Sequence, residues 1–213
     1  SLAIKNPANP GSGARQFTFD YVFDSFTEDE DKIATQRVVW EAIGAPVLEA
    51  AWGGYNVSLF AYGQTGSGKS HSMVGFDHTD KGIIPNAMEH MFQRINENSD
   101  TQLTFRVECS MVEIYNERIR DLFVRFERGK EKKGGLKLRD SPKQGVFIEG
   151  LKSAPVASYD QIERLMTMGT KNRTIAATNM NHTSSRAHTI FVVTLTQTRV
   201  NHDTATATDR VSC

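Results

Sequence analysis

The chain has 213 residues, enough for one substantial α/β domain with its own core, and its 25 basic and 25 acidic residues cancel. That balance gives no overall field favouring nucleic acid or a membrane surface as partner. No apolar run nears the ~20 residues a bilayer span needs, and no signal peptide is expected. Cys109 and Cys213, the only cysteines, are two isolated thiols, so neither a disulfide framework nor a metal site is expected and a reducing cytosol is the default.

Residues up to about Arg15 are rich in Pro, Gly and Asn and predict an irregular N-terminal segment over 1–16 with no buried element. Phe17 to Phe23 alternates as a half-buried strand does. From Ile33 to Trp52 the apolar residues recur at helical spacing, Pro46 should kink or divide that helix, and Gly53-Gly54 ends it. Val57 to Tyr62 is apolar and β-compatible and predicts a strand. Ser70 opens a short helix, broken by Gly75 and the polar stretch after it. Pro85 sits at a first-turn position of the next helix, which carries Met88, Met91, Phe92 and Ile95.

Leu103 to Tyr115 alternates as a long strand, and Leu136–Arg139 with Gly145–Ile148 read as a hairpin around Asp140–Lys143. Ser158 and Gln161 make a capping box for a helix with Ile162, Leu165 and Met166 inward. Thr189 to Val200 is a strand, His202–Asp209 a polar loop, and Arg210–Cys213 the opening of another strand. Strands and helices intermixed in this way predict an α/β fold, a mixed central sheet covered by helices on both faces.

The most informative stretch is Gly63-Gln64-Thr65-Gly66-Ser67-Gly68-Lys69-Ser70, which fits the phosphate-loop pattern G-x-x-x-x-G-K-[ST]. The predicted strand before it and the helix start after it supply the required context. Glycines let backbone amides converge on phosphates, because conformations costly for other residues cost them little. Lys69 would reach the β- and γ-phosphates, and the Ser70 hydroxyl would ligate Mg²⁺.

A second motif, Asn181-His182-Thr183-Ser184-Ser185-Arg186-Ala187-His188, lies between a helix and a strand and offers two adjacent hydroxyls and an arginine. Such groups suit a loop that senses a γ-phosphate; alone, the stretch reads equally as a Ser/Asn-rich loop bonding its own backbone.

Together the two motifs resemble the kinesin motor domain. Kinesins carry G-Q-T-x-S-G-K-[ST] preceded by F-A-Y, here Phe60-Ala61-Tyr62, and a first switch reading N-x-x-S-S-R-S-H, matched here in all but Ala187. Phe19-Asp20 with Val22-Phe23, Gly54-Tyr55-Asn56, Gly82-Ile83-Ile84-Pro85, Glu113-Ile114-Tyr115-Asn116-Glu117 and Asn179-Met180-Asn181 follow in kinesin order. The resemblance runs over about 17–200, the motor-core portion, with 201–213 as a loop and the start of a truncated strand. Ile148–Leu151 and Ala176–Asn179 look closest to the type-three, vesicle-transporting class.

The resemblance implies a P-loop NTPase of the kinesin motor fold that binds ATP/ADP and Mg²⁺, hydrolyses ATP and moves along microtubules in the cytoplasm. It places Ser185 with Ser70 at the Mg²⁺, Asn181 and Ser184 at the water and γ-phosphate, Arg186 toward an acidic residue of the second switch, and His71 against the adenine ring. A hairpin corresponding to Leu136–Ile148 faces tubulin in kinesins, making Arg139 and Lys143 contact candidates. The run Arg125, Arg128, Lys130, Lys132, Lys133 reads first as a solvated basic loop. Neither nucleic acid nor membrane insertion is implied.

Myosin fits less well, since its loop reads G-E-S-G-A-G-K-T, and no N-K-x-D signature points to a small GTPase. The kinesin segments R-x-R-P and D-L-A-G-x-E are not found. The chain is therefore expected to be a partial motor domain without its first strand, the second switch, or cargo and dimerisation regions. The alternative is a non-motile nucleotide- or microtubule-binding module. A sheet lacking strands on one side exposes apolar edges, so the chain alone should be marginally stable and lack normal microtubule-stimulated turnover. ATPase measured with and without microtubules checks this; robust stimulation would refute it.

Overall fold

The computed structural model describes residues 1–9, 11–27, 29, 33–76, 79–125, 134–142, 145–180, 187–201 and 206–213, with backbone alone for 176–180, 201 and 206. Its centre is β3 (Leu103–Tyr115), whose alternating sequence places Phe105, Val107, Cys109 and Met111 on one face. Along one edge β3 pairs with β8 (His188–Asn201) in an antiparallel ladder from Leu103↔Arg199 to Ile114↔His188. Along the other it holds β4 (Arg118–Asp121) and β7 (Ala154–Val156), both antiparallel. β9 (Thr206–Ser212) continues the sheet beyond β8. The order is β4-β3-β8-β9, with β7 beside β3, and every ladder among the described residues is antiparallel.

The apolar face of this sheet is covered by α4 (Ile83–Asn96) and α5 (Tyr159–Met180). Met88, Met91 and Phe92 of α4 and Ile162 of α5 join Val107, Cys109, Met111, Leu122, Phe123, Val156 and Leu195 in one buried cluster. Pro85 is buried in the first turn of α4, where its missing N–H costs nothing. In α5 the close approach is made at Gly169, where a Cβ would stand 2.4 Å from the Met111 sulfur. Beside it, the buried Asn172 amide donates to the Leu122 carbonyl at 2.9 Å. Glu113, 8 % exposed, accepts from Arg173 of α5 at 3.2 Å and from Arg120 of β4, so the buried charge is met by two guanidiniums. Gln161 folds back to accept from the Ala157 amide, one residue before the expected capping-box partner.

The predicted helix between Ile33 and Trp52 is realised in three parts, as Pro46 required. Thr35 caps α1 (Gln36–Val39), a π-helical stretch follows over Trp40–Gly44, and α2 (Ala45–Trp52) resumes with the proline in its first turn. The wider turn absorbs the hydrogen bond that Pro46 cannot donate. Gly44 is obligatory there, since a Cβ would lie 2.2 Å from the Trp40 ring.

Four expectations are corrected. Phe17–Phe23 is not a strand: β2 spans only Arg15–Phe17, pairing with β1 (Leu2–Ile4) inside the segment read as irregular. Val57–Tyr62 has no regular secondary structure and belongs to no ladder among the described residues. Both sequences are strand-competent, but a strand exists only where a neighbour completes its hydrogen bonds. Residues 206–209, read as loop, belong to β9. The turn after Tyr115 was unforeseen: Asn116 and Glu117 sit at φ 48° and 59°, the two left-handed residues of a tight hairpin into β4. The hairpin of β5 (Lys137–Ser141) and β6 (Gly145–Glu149) forms where the sequence placed it.

Replacing fully buried Ile162 by Ala should cost about 2–5 kcal/mol, read from the denaturation midpoint. Burial also pushes the Cys109 thiol up from its ordinary 9.0 to about 11. The neutral thiol is thus favoured in the fold, and its contribution, complete below pH 9.0, is lost as pH climbs to about 11. At neutral pH a thiol reagent should label exposed Cys213 quickly and Cys109 only after denaturant is added.

Candidate functional site

The segment that enters Gly63–Ser70 is anchored just past the end of β9, at Cys213. The Val57 amide donates to the Cys213 carbonyl at 2.9 Å, and the Cys213 amide to the Asn56 side-chain oxygen at 3.0 Å. Between this anchor and the loop, Phe60 and Tyr62 are 86 % and 101 % exposed. The loop then curls on itself: the Ser67 amide donates to the Gln64 carbonyl at 3.2 Å, and its hydroxyl lies where a Cβ on Gly63 would be, 2.3 Å away. Gly66 and Gly68 take φ of 82° and 85°, the left-handed region closed to most side chains.

Gly68 is the N-cap of α3 (Lys69–Met73), whose first-turn amides have no acceptor within the helix. Lys69 turns back over the loop and donates to the Gly63 and Gln64 carbonyls, both at 2.7 Å. A cation, a helix start and glycines without Cβ atoms thereby share one short loop, chemistry suited to a polyphosphate. His71 follows in α3. Its Nε2 lies 2.8 Å from Asp80 Oδ2 and its ring centroid 4.8 Å from that of Phe76.

Asn181, Ser184, Ser185 and Arg186 lie outside the described residues. The elements that carry them are described: α5 ends at Met180 and β8 begins at His188, opposite Ile114 of β3. Arg139 stands on β5, with Nε donating to Glu149 of β6 at 3.0 Å. Lys143 is outside the described residues, as are 126–133 of the basic run. Asp80, Phe76 and Gln36, which surround His71, were not singled out from sequence. For Phe76 and Asp80 the signal available was only their place in the loop that Gly75 and Gly82 punctuate, and for Gln36, on α1, there was none. Among the described residues no helix is long and apolar enough to cross a membrane.

A family model described as the kinesin motor domain matches residues 2–212. Kinesin-related protein 1 of Dictyostelium discoideum is 44 % identical over 201 residues, covering 93 % of this chain and 9 % of that protein. Human kinesin-like protein KIF1B is 44 % identical over 214 residues, covering 100 % of this chain and 12 % of its own length. Among solved structures, KIF14 with ADP in complex with a microtubule superposes with a TM-score of 0.84 at 37 % identity, over 99 % of this chain and 58 % of that one. A fast kinesin gives 0.78 at 36 %, over 94 % and 52 %. The chain therefore spans about a tenth of these two curated relatives and just over half of the solved chains. The antiparallel sheet, the helices packed on it and the glycine loop at its edge are thus kinesin architecture, and the chain belongs to the kinesin motor domain family.

Proposed function

We propose that this chain is the ATP-binding portion of a microtubule motor, with Gly63–Ser70 holding the triphosphate. The observation that carries the reading is the cradle itself, closed over Gly63 and crossed by the Lys69 ammonium. The solved relatives include KIF14 with ADP and with AMP-PNP, both in complex with a microtubule.

The carbonyls of Gly63 and Gln64 keep the Lys69 ammonium in the cradle before ligand arrives. Phosphate oxygens then replace them, a charge-assisted exchange that favours the bound state. The hydroxyls of Ser70 and Ser185 would hold Mg²⁺, which would supply neutralisation of phosphate charge. Asn181 and Ser184 orient water against the terminal phosphate, and Arg186 responds to its presence. No covalent enzyme chemistry is needed, because hydrolysis of this kind runs on positioning and electrostatics. Ordering of 181–186 around ATP and its release after hydrolysis would couple turnover to track affinity. Ala187 removes one hydroxyl beside Arg186 without removing a group assigned to phosphate or metal.

The track is acidic tubulin in the cytoplasm, met in part by the β5–β6 hairpin with Arg139 and Lys143. Glu149 offsets some of the Arg139 charge, so that contact draws on a pair that must open. The KIF1-type relatives favour the type-three, vesicle-transporting class over others.

Lys69→Ala should weaken binding of a fluorescent ATP analogue with Mg²⁺ about tenfold to a hundredfold in an equilibrium titration. Unchanged affinity would sink the cradle reading. Glu149→Gln, which frees Arg139, should strengthen co-sedimentation with microtubules at low salt, while Arg139→Glu should weaken it; both effects should shrink as salt is added.

A further inference from the structure

Three elements converge on the His71 imidazole. The first is a small closed loop after α3. The Phe76 amide donates to the Asp80 carbonyl at 3.3 Å, the Gly82 amide to the Val74 carbonyl at 3.0 Å, and Gly75 forms a bridge with Lys81. This closure needs Gly75, which sits at φ 87° and whose Cβ would stand 2.0 Å from the Asp80 carbonyl oxygen. The loop thereby carries Asp80 back beside the helix it followed, with Oδ2 2.8 Å from His71 Nε2.

The second element is Phe76, whose ring is tilted 41° to the imidazole at 4.8 Å and is otherwise 81 % exposed. The third is α1: the Gln36 side-chain amide donates to the His71 carbonyl at 2.6 Å, fixing the backbone from which the ring projects.

A histidine ring left alone rotates about a broad, two-fold torsion and exchanges its two neutral tautomers. An ionised carboxylate can only accept, so the bond to Asp80 requires the proton on Nε2 and holds the ring in one orientation. The ring lies directly after the phosphate loop, and it is flat, held and bordered by a second aromatic surface. Fused-ring bases stack on such surfaces, and pre-ordering the surface removes part of the cost of binding.

We propose that Asp80 is a positioning residue for the nucleotide base: acting through His71, it holds the imidazole as a pre-ordered platform on which a purine stacks, with the Phe76 ring beside it. The proposal rests on Gly63–Ser70 being the triphosphate site.

The test compares two ligands on the purified chain, ATP–Mg²⁺ and inorganic triphosphate–Mg²⁺. Asp80→Ala should weaken ATP about threefold to tenfold and leave triphosphate unchanged. Asp80→Asn, whose side-chain oxygen still accepts from Nε2, should retain the original affinity. In a His71→Ala background, Asp80→Ala should have no further effect, which a merely structural residue would not show. The imidazole ¹⁵N resonances should report a single Nε2–H tautomer in the original chain and in Asp80→Asn, and a mixture in Asp80→Ala. An unchanged ATP affinity in Asp80→Ala, an equal loss for both ligands, or failure of that variant to fold would overturn the proposal while the phosphate reading stands. If the original chain binds neither ligand, the phosphate reading falls and takes this proposal with it.

Discussion

The β3–β8 ladder is the constraint on which the rest of this structure depends. It pairs every position from Leu103 to Ile114, and in doing so it presents an apolar stripe broad enough for two helices. A one-residue slip of β8 along β3 would turn Leu195 away from α4 and α5 and point Thr194 at them instead. Both helices then lose part of their reason to be where they are. So does β9, which borrows its register from β8 and leads to Cys213, whose carbonyl and amide hold Val57 and Asn56 at the start of the segment that enters the phosphate loop.

Charges buried near this ladder are handled by surrounding them. Glu113 is met by guanidiniums from β4 and α5, and Asp121 spends its carboxylate on the amides of Phe123 and Lys152. Tyr159, pushed up to about 12 by burial and by the carboxylates of Glu163 and Glu89, lies 5.2 Å beneath the Lys81 ammonium. These contacts join elements distant in sequence, so they orient α4 and α5 as well as satisfying polar groups.

Much of this was legible in the sequence because it is local. The β3 alternation, the Pro85 start of α4, the Pro46 interruption and the β5–β6 hairpin follow from side-chain period and turn chemistry, and the structure has them all. The phosphate loop was legible for the same reason: its glycines are demanded by backbone geometry within eight residues. What was not legible is pairwise. Val57–Tyr62 has strand composition, yet composition cannot say whether a neighbour supplies the other half of each hydrogen bond. The Asn116–Glu117 turn hid inside a run that read as one family landmark. Asp80 stood in a polar stretch whose only visible meaning was to end a helix. It reaches His71 because Gly75 lets the chain double back, a fact about three dimensions.

The notch at Gly169 has a geometric reach of its own. With no Cβ there, the α5 backbone comes up against the Met111 sulfur, and any larger residue at 169 would have to displace that thioether. From that resting point the helix runs eleven more residues to Met180, about 16 Å at the rise of an α-helix, and delivers the chain to residues 181–186. A rigid rod pivoting at one end moves farthest at the other. A tilt of α5 at Gly169, near its middle, is therefore carried three turns on, to where the loop assigned to γ-phosphate sensing begins.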